Sequence, residues 1–154
     1  MKRSKKIASV LLIVLVIIQF FQPRRNRSDI ISQADIASTL NVPVIVHNIL
    51  NNACYDCHSN NTNYPWYSNV QPFGWLLSKH IRNAKAELNF NEFGTYTKRR
   101  QISKLDGIAN SIEDGSMPLS SYKLLHKKAR LSKEDKALII DWVERIKDSL
   151  RMNN

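Results

Sequence analysis

The sequence predicts an all-α protein, a small helical domain with long loops behind an N-terminal apolar helix. Three observations carry that expectation. Apolar residues recur at three- and four-residue spacing in the stretches that begin near Phe73, Ile102 and Ser132, the period at which side chains share one face of a helix. No run alternates apolar and polar residues for long enough to make a convincing strand. The stretches between the periodic segments hold Asn, Pro and Gly, the residues of turns and loops.

The elements follow in chain order. Ile7 to Phe21 is an apolar run of 15 positions, with Lys2, Arg3, Lys5 and Lys6 before it and Arg24, Arg25 and Arg27 after it. A charged n-region followed by an apolar segment is the pattern of an export signal. The run covers about 22 Å at 1.5 Å per residue against a hydrocarbon core of roughly 30 Å. Gln19, Gln22 and the basic flanks can extend it by snorkelling. No A-x-A-like cleavage site follows, so residues 1–22 are expected to remain as a signal anchor in the inner membrane. The N-terminus would lie inside and the rest of the chain in the periplasm. Residues 23–40 are polar and charged, a tether with room for one short helical stretch. Residues 41–150, about 110 positions, suffice for one small domain but not for two.

Within that domain Pro43 opens a short helix over Val44 to Leu50, since proline is well tolerated in a first turn. Phe73, Leu76, Leu77, His80, Ile81, Ala84 and Leu88 form an amphipathic stripe. Ile102, Leu105, Ile108, Ala109 and Ile112 form another, ending near Gly115, a residue suited to a C-cap. Ser132 and Asp135 resemble a capping box that opens the last helix, whose apolar face runs through Ile139, Trp142 or Val143, Ile146 and Leu150.

Charge narrows the classes of partner. The chain has 23 Lys and Arg against 13 Asp and Glu, a net of +10, which at first suggests nucleic acid. Seven of those basic residues precede Asp29, where there is no acid, leaving 16 against 13 in the remainder. The excess therefore belongs to the membrane flanks, where it meets anionic headgroups, and no nucleic acid is expected. Clusters at Lys98-Arg99-Arg100 and at Lys127, Lys128 and Arg130 are solvated surface or a docking patch for an acidic redox partner.

The chemistry concentrates in Cys54-Tyr55-Asp56-Cys57-His58, which holds the only two cysteines. This is C-x-x-C-H, the spacing at which two thiols on one turn can each bond a former vinyl group of a haem while the histidine supplies the proximal iron ligand. The expected cofactor is a single covalently attached haem c, with Cys54 and Cys57 as attachment points and His58 as ligand. Zinc would need a fourth ligand from His47, His80 or His126. A redox dithiol would favour a βαβ setting, and the surroundings look helical. Tyr64-Pro65-Trp66-Tyr67 follows closely and offers rings that could pack on the porphyrin edge or fill ordinary core.

The distal ligand decides between electron transfer and ligand binding. Met117, in Gly115-Ser116-Met117-Pro118, is the leading candidate: glycine permits a tight turn, proline stiffens the backbone, and an irregular loop can present the thioether. His80, on the apolar stripe, is the alternative. His126 is read as a partner for a propionate or a backbone group, and His47 as structural or exposed.

With those residues in view the chain resembles class I c-type cytochromes in its order of C-x-x-C-H, helices, Met-Pro loop and final helix. It is more closely similar to the bacterial haem-binding domain family of small exported proteins. That similarity is carried by Ala53 to Asn63, Pro65-Trp66-Tyr67-Ser68, Leu88-Asn89-Phe90, Met117-Pro118, Tyr122 and the run from His126 to Ser132. It covers about residues 35 to 147. The resemblance implies a cytochrome c-like helical domain, haem on Cys54 and Cys57, His58 as proximal ligand and Met117 as distal ligand.

The expected function is one-electron transfer by a membrane-anchored periplasmic monohaem cytochrome, an electron carrier rather than an enzyme, with a redox partner protein. The alternative is a haem-based sensor or small haem enzyme for a diatomic ligand or peroxide. No distal acid–base pair for peroxide is evident, since Glu113 and Asp114 read as charge at a helix end.

Overall fold

The computed structural model describes residues 2–28, 30 and 32–152. Among them are eight α-helices, three 3-10 turns and no strand, so the all-α expectation holds. The helices are α1 (Lys2–Ile18), α2 (Ile36–Thr39), α3 (Val44–Ala53), α4 (Tyr55–His58), α5 (Phe73–Glu87), α6 (Lys98–Glu113), α7 (Ser120–Leu125) and α8 (Lys133–Met152). Among the described residues no helix is long and apolar enough to cross a membrane.

Local signals place the helix ends. Ser132 and Asp135 form the reciprocal capping box, with Asp135 N–H donating to Ser132 Oγ at 3.0 Å and Ser132 N–H to Asp135 Oδ2 at 2.9 Å. Thr97 caps α6 by accepting from Arg100 N–H. Past the other end of α6, Gly115 stands at φ +77°, where a side chain would be strained.

The core forms where α3, α6 and α8 meet. Leu50, Leu105, Ile112, Ile139, Trp142 and Val143 are buried there, with Phe90 and Phe93 from the turn between α5 and α6. Trp142 Nε1–H donates to Asn41 O at 3.2 Å, satisfying the one polar atom that the ring carries inward. Lys147 of α8 pairs with Asp106 of α6 at 2.5 Å on the flank of this contact.

Two expectations change. In α5 the buried face is Gly74, Leu77, Ser78 and Ile81, whereas Phe73 and Leu76 of the expected stripe are 57 % and 51 % exposed. The reason is the close approach of Ser68, whose carbonyl oxygen lies 2.4 Å from where a Cβ on Gly74 would sit. Only a glycine face can pack there, and that contact sets the rotation of the helix. Secondly, Asn26 and Ile36 of the expected tether lie against the domain. Asn26 Nδ2 donates to Ser59 O and Thr62 Oγ1, and Ile36 of α2 is fully buried.

Candidate functional site

The C-x-x-C-H sequence forms its own turn. Helix α3 closes with Cys54 N–H donating to Leu50 O at 2.8 Å, and the backbone breaks at Cys54. The one-turn α4 follows, with Cys57 N–H and His58 N–H both donating to Cys54 O at 3.1 and 2.9 Å. The backbone of the motif thereby closes as one turn on the Cys54 carbonyl.

His58 is fixed by its partner. Its Nδ1 lies 3.0 Å from Leu88 O. A carbonyl only accepts, so Nδ1 carries the proton and Nε2 keeps its lone pair. Burial pushes the imidazole below its ordinary pKa, against the opposing effect of the Leu88 and Ala84 carbonyls. The ring is therefore neutral near pH 7, the state in which an imidazole ligates a metal.

Burial pushes the Cys54 thiol up to about 12, aided by Cys57, and the Cys57 thiol up to about 11, aided by Asp56. A reactive redox dithiol needs the opposite shift. Among the described residues no three His, Cys, Asp or Glu side chains gather as a metal-binding cluster, so the zinc reading lacks a ligand set.

Beside α4 opens a cavity of about 230 Å³. Cys54 and His58 line one side, and Met117 and Pro118 line it from the 114–119 loop. Leu88, Phe90, Ile108, Ile112 and Leu131 make most of the remaining wall apolar, with Lys104 and Glu87 as its charged residues, 3.4 Å apart. The loop is held by Met117 N–H donating to Ser111 O at 3.0 Å and Ser116 N–H to Asp114 Oδ1 at 2.8 Å. Gly107 on α6 also lines the cavity, and a Cβ built there meets nothing within 4 Å.

The fold thus brings Cys54, His58 and Met117 to one cavity. It does not bring Cys57 or His80 to that wall. Tyr64, Trp66 and Tyr67 are also absent from it. Trp66 is 80 % exposed, and Tyr64 lies under the Arg25 guanidinium at 4.3 Å. Tyr67 shares a 2.9 Å hydrogen bond with His126 Nε2. These rings make their contacts away from the cavity that Cys54, His58 and Met117 line. His126 takes a side-chain partner instead of a backbone group, and stacks on Tyr122 with centroids 4.0 Å apart. His47 meets Tyr55 edge-on at 5.8 Å.

Sequence reading missed Asp56 and Asp35. Tyr122 Oη donates to Asp56 Oδ2 at 2.5 Å, and Tyr55 Oη donates to Asp35 Oδ1 at 3.1 Å. Both tyrosines are pushed well above the ordinary phenol range, by burial first and then by their carboxylates. The signal for Asp56 was its place between the two cysteines; Asp35 had none.

The haem-binding domain family matches this chain over residues 13–145. The chain belongs to the haem-binding domain family. No curated protein and no solved structure matches it.

As a haem-binding domain, the protein has a place suited to the group. The apolar wall, the Nε2 of His58 and the thioether of Met117 on the same cavity fit the chemistry of a haem iron site. The open space over Gly107 leaves one flank unfilled. The cavity is smaller than the roughly 300–1,000 Å³ of common ligand pockets, so it would enclose part of a haem rather than all of it.

Proposed function

We propose that this haem-binding domain carries one haem c covalently on Cys54 and Cys57, with His58 and Met117 as axial ligands, and transfers single electrons. The observation that supports it best is the meeting of His58 and Met117, 59 positions apart in sequence, on the walls of one apolar cavity.

Haem supplies a one-electron iron couple. The chain's own residues bind and tune it. Leu88 O holds the His58 ring in one tautomer and raises the basicity of Nε2. Met117 would supply a thioether as second ligand, which would keep other ligands off and favour a raised potential. Ile108, Ile112 and Phe90 give the pocket apolar walls. His80 lies off this wall, which favours Met117 over it.

The chain is further proposed to sit in the inner membrane by its N-terminal segment, with the haem domain in the periplasm facing a redox partner protein. Support comes from the apolar run Ile7 to Phe21 between basic flanks. Helix α1 spans 17 residues, about 25 Å by helical rise, and Phe20 and Phe21 continue its apolar character.

The test is an absorption spectrum of protein matured with a c-haem assembly system, compared with Met117→Ala and His80→Ala. Haem that stays attached through denaturation, and a methionine–iron charge-transfer band lost only in Met117→Ala, are the expected results. Loss of the band in His80→Ala alone, or rapid carbon monoxide binding by the ferrous wild type, would overturn the His/Met reading.

A further inference from the structure

Outside α1, half of the exposed large apolar side chains among the described residues come from two stretches, 20–21 and 66–76. Phe20 (83 % exposed) and Phe21 follow the end of α1, while Trp66, Phe73, Trp75 and Leu76 come from the turn and helix after the C-x-x-C-H motif. These two stretches are bonded to each other. Gln71 N–H donates to Gln19 Oε1 at 2.8 Å, and Gln19 Nε2 returns a bond to Gln71 O at 3.2 Å. Gln22 and Gln71 join through their side chains at 2.9 Å, Gln22 also reaches Asn69 O, and Trp75 Nε1–H donates to Phe21 O at 2.6 Å. Whatever depth Gln19 to Gln22 occupy, Asn69 to Trp75 must share.

Charge on this side has one sign. Residues 1–28 contain no acid, and none occurs between Asp56 and Glu87. A groove of about 590 Å³ that begins at Pro23, two residues after Phe21, is lined by Arg24, Arg25, Arg82 and Lys85 with no acidic residue. Aromatic rings next to lysine and arginine, at the end of an apolar helix, are the composition of a membrane–water interface. An exposed apolar patch rimmed by cations fits that environment better than bulk water.

We propose that the Phe20–Phe21 and Trp66–Leu76 face rests on an anionic bilayer surface, with lipid headgroups in the Arg24–Arg82 groove, so that the haem domain lies against the membrane. This rests on the reading of residues 7–21 as the membrane segment. It adds a second, interfacial contact that holds the domain in one orientation.

The experiment places the full-length holoprotein in nanodiscs of phosphatidylcholine with phosphatidylglycerol and a lipid bearing a diazirine near its glycerol. After irradiation the labelled residues are mapped by mass spectrometry. Labels at both 7–21 and 66–76 are expected, with those at 66–76 diminished when phosphatidylglycerol is omitted. Phe73→Ser/Leu76→Ser should lose the label at 66–76, keep it at 7–21 and leave the haem spectrum unchanged; both side chains are exposed, so folding is spared. Labels confined to 7–21 would overturn the docked face while leaving the anchor. No label anywhere would overturn both. Two chains per disc with 66–76 unlabelled would make the occupant a second copy, and would also overturn the proposal.

Discussion

His58 Nδ1 donates to the carbonyl of Leu88 at 3.0 Å, across 30 positions of sequence. The bond ties the C-x-x-C-H turn to the end of α5 and aims the other ring nitrogen. Because the acceptor is a main-chain oxygen, it survives any side-chain substitution at position 88 that keeps the fold.

A pH dependence follows for the haem-free chain. Burial lowers the folded pKa of His58 below its ordinary 6.5, so the unfolded chain binds the proton first as pH falls. The stabilisation is fully present above about 6.5 and is lost on acidification towards the folded pKa, with a slope of at most about 1.4 kcal/mol per pH unit. Urea midpoints of the apo-protein between pH 8 and 5 should fall, and His58→Gln should flatten the part of the curve due to this group.

Gly107 offers a substitution with two opposed effects. Its Cβ position is open space on the cavity wall. Gly107→Ala should raise the melting temperature of the apo-protein, since glycine within a helix costs about 1 kcal/mol against alanine. Gly107→Leu should lower the haem-to-protein ratio by filling the cavity. Equal haem loading in Gly107→Leu would place the ring elsewhere.

Gly115 holds the methionine loop at φ +77°. Gly115→Ala should destabilise the protein by about 1–2 kcal/mol, the cost of a side chain in the left-handed region. If Met117 ligates, the same change should weaken the methionine–iron band. A band unchanged beside a lowered melting temperature would separate the loop's strain from ligation.

The short Tyr122–Asp56 bond should be worth about 1.5–3 kcal/mol, as expected where one partner is charged. Tyr122→Phe and Asp56→Asn are each expected to lower stability, and the double variant to cost less than their sum. Tyr55→Phe, which loses a different carboxylate, Asp35, should combine additively with Tyr122→Phe. Chemical denaturation of the wild type, the three single variants and the two double variants checks this.

What could be read from the chain divides by sequence distance. The capping box at Ser132 and Asp135 and the C-terminal glycine after α6 are bonds and angles within a few residues, so spelling alone reveals them. The amphipathic faces of α6 and α8 were also legible, because Leu105, Ile108 and Ile112, and Ile139, Trp142 and Val143, leave one apolar side to bury. Helix α5 was not, since Phe73, Leu76 and Leu77 make a wide stripe, and the contact of Gly74 with Ser68 chose which part faces inward.

By itself the sequence determined an all-α chain, a C-x-x-C-H turn with its candidate ligands, and a basic, acid-free N-terminus. Each is local composition or spacing. The tertiary structure decided that Met117 and not His80 shares a wall with His58, that Tyr67 meets His126 59 positions away, and that Asp56 takes Tyr122 from 66 positions away. Such pairings depend on how helices rotate and close on one another, and rotation is set by long-range packing that no periodicity encodes.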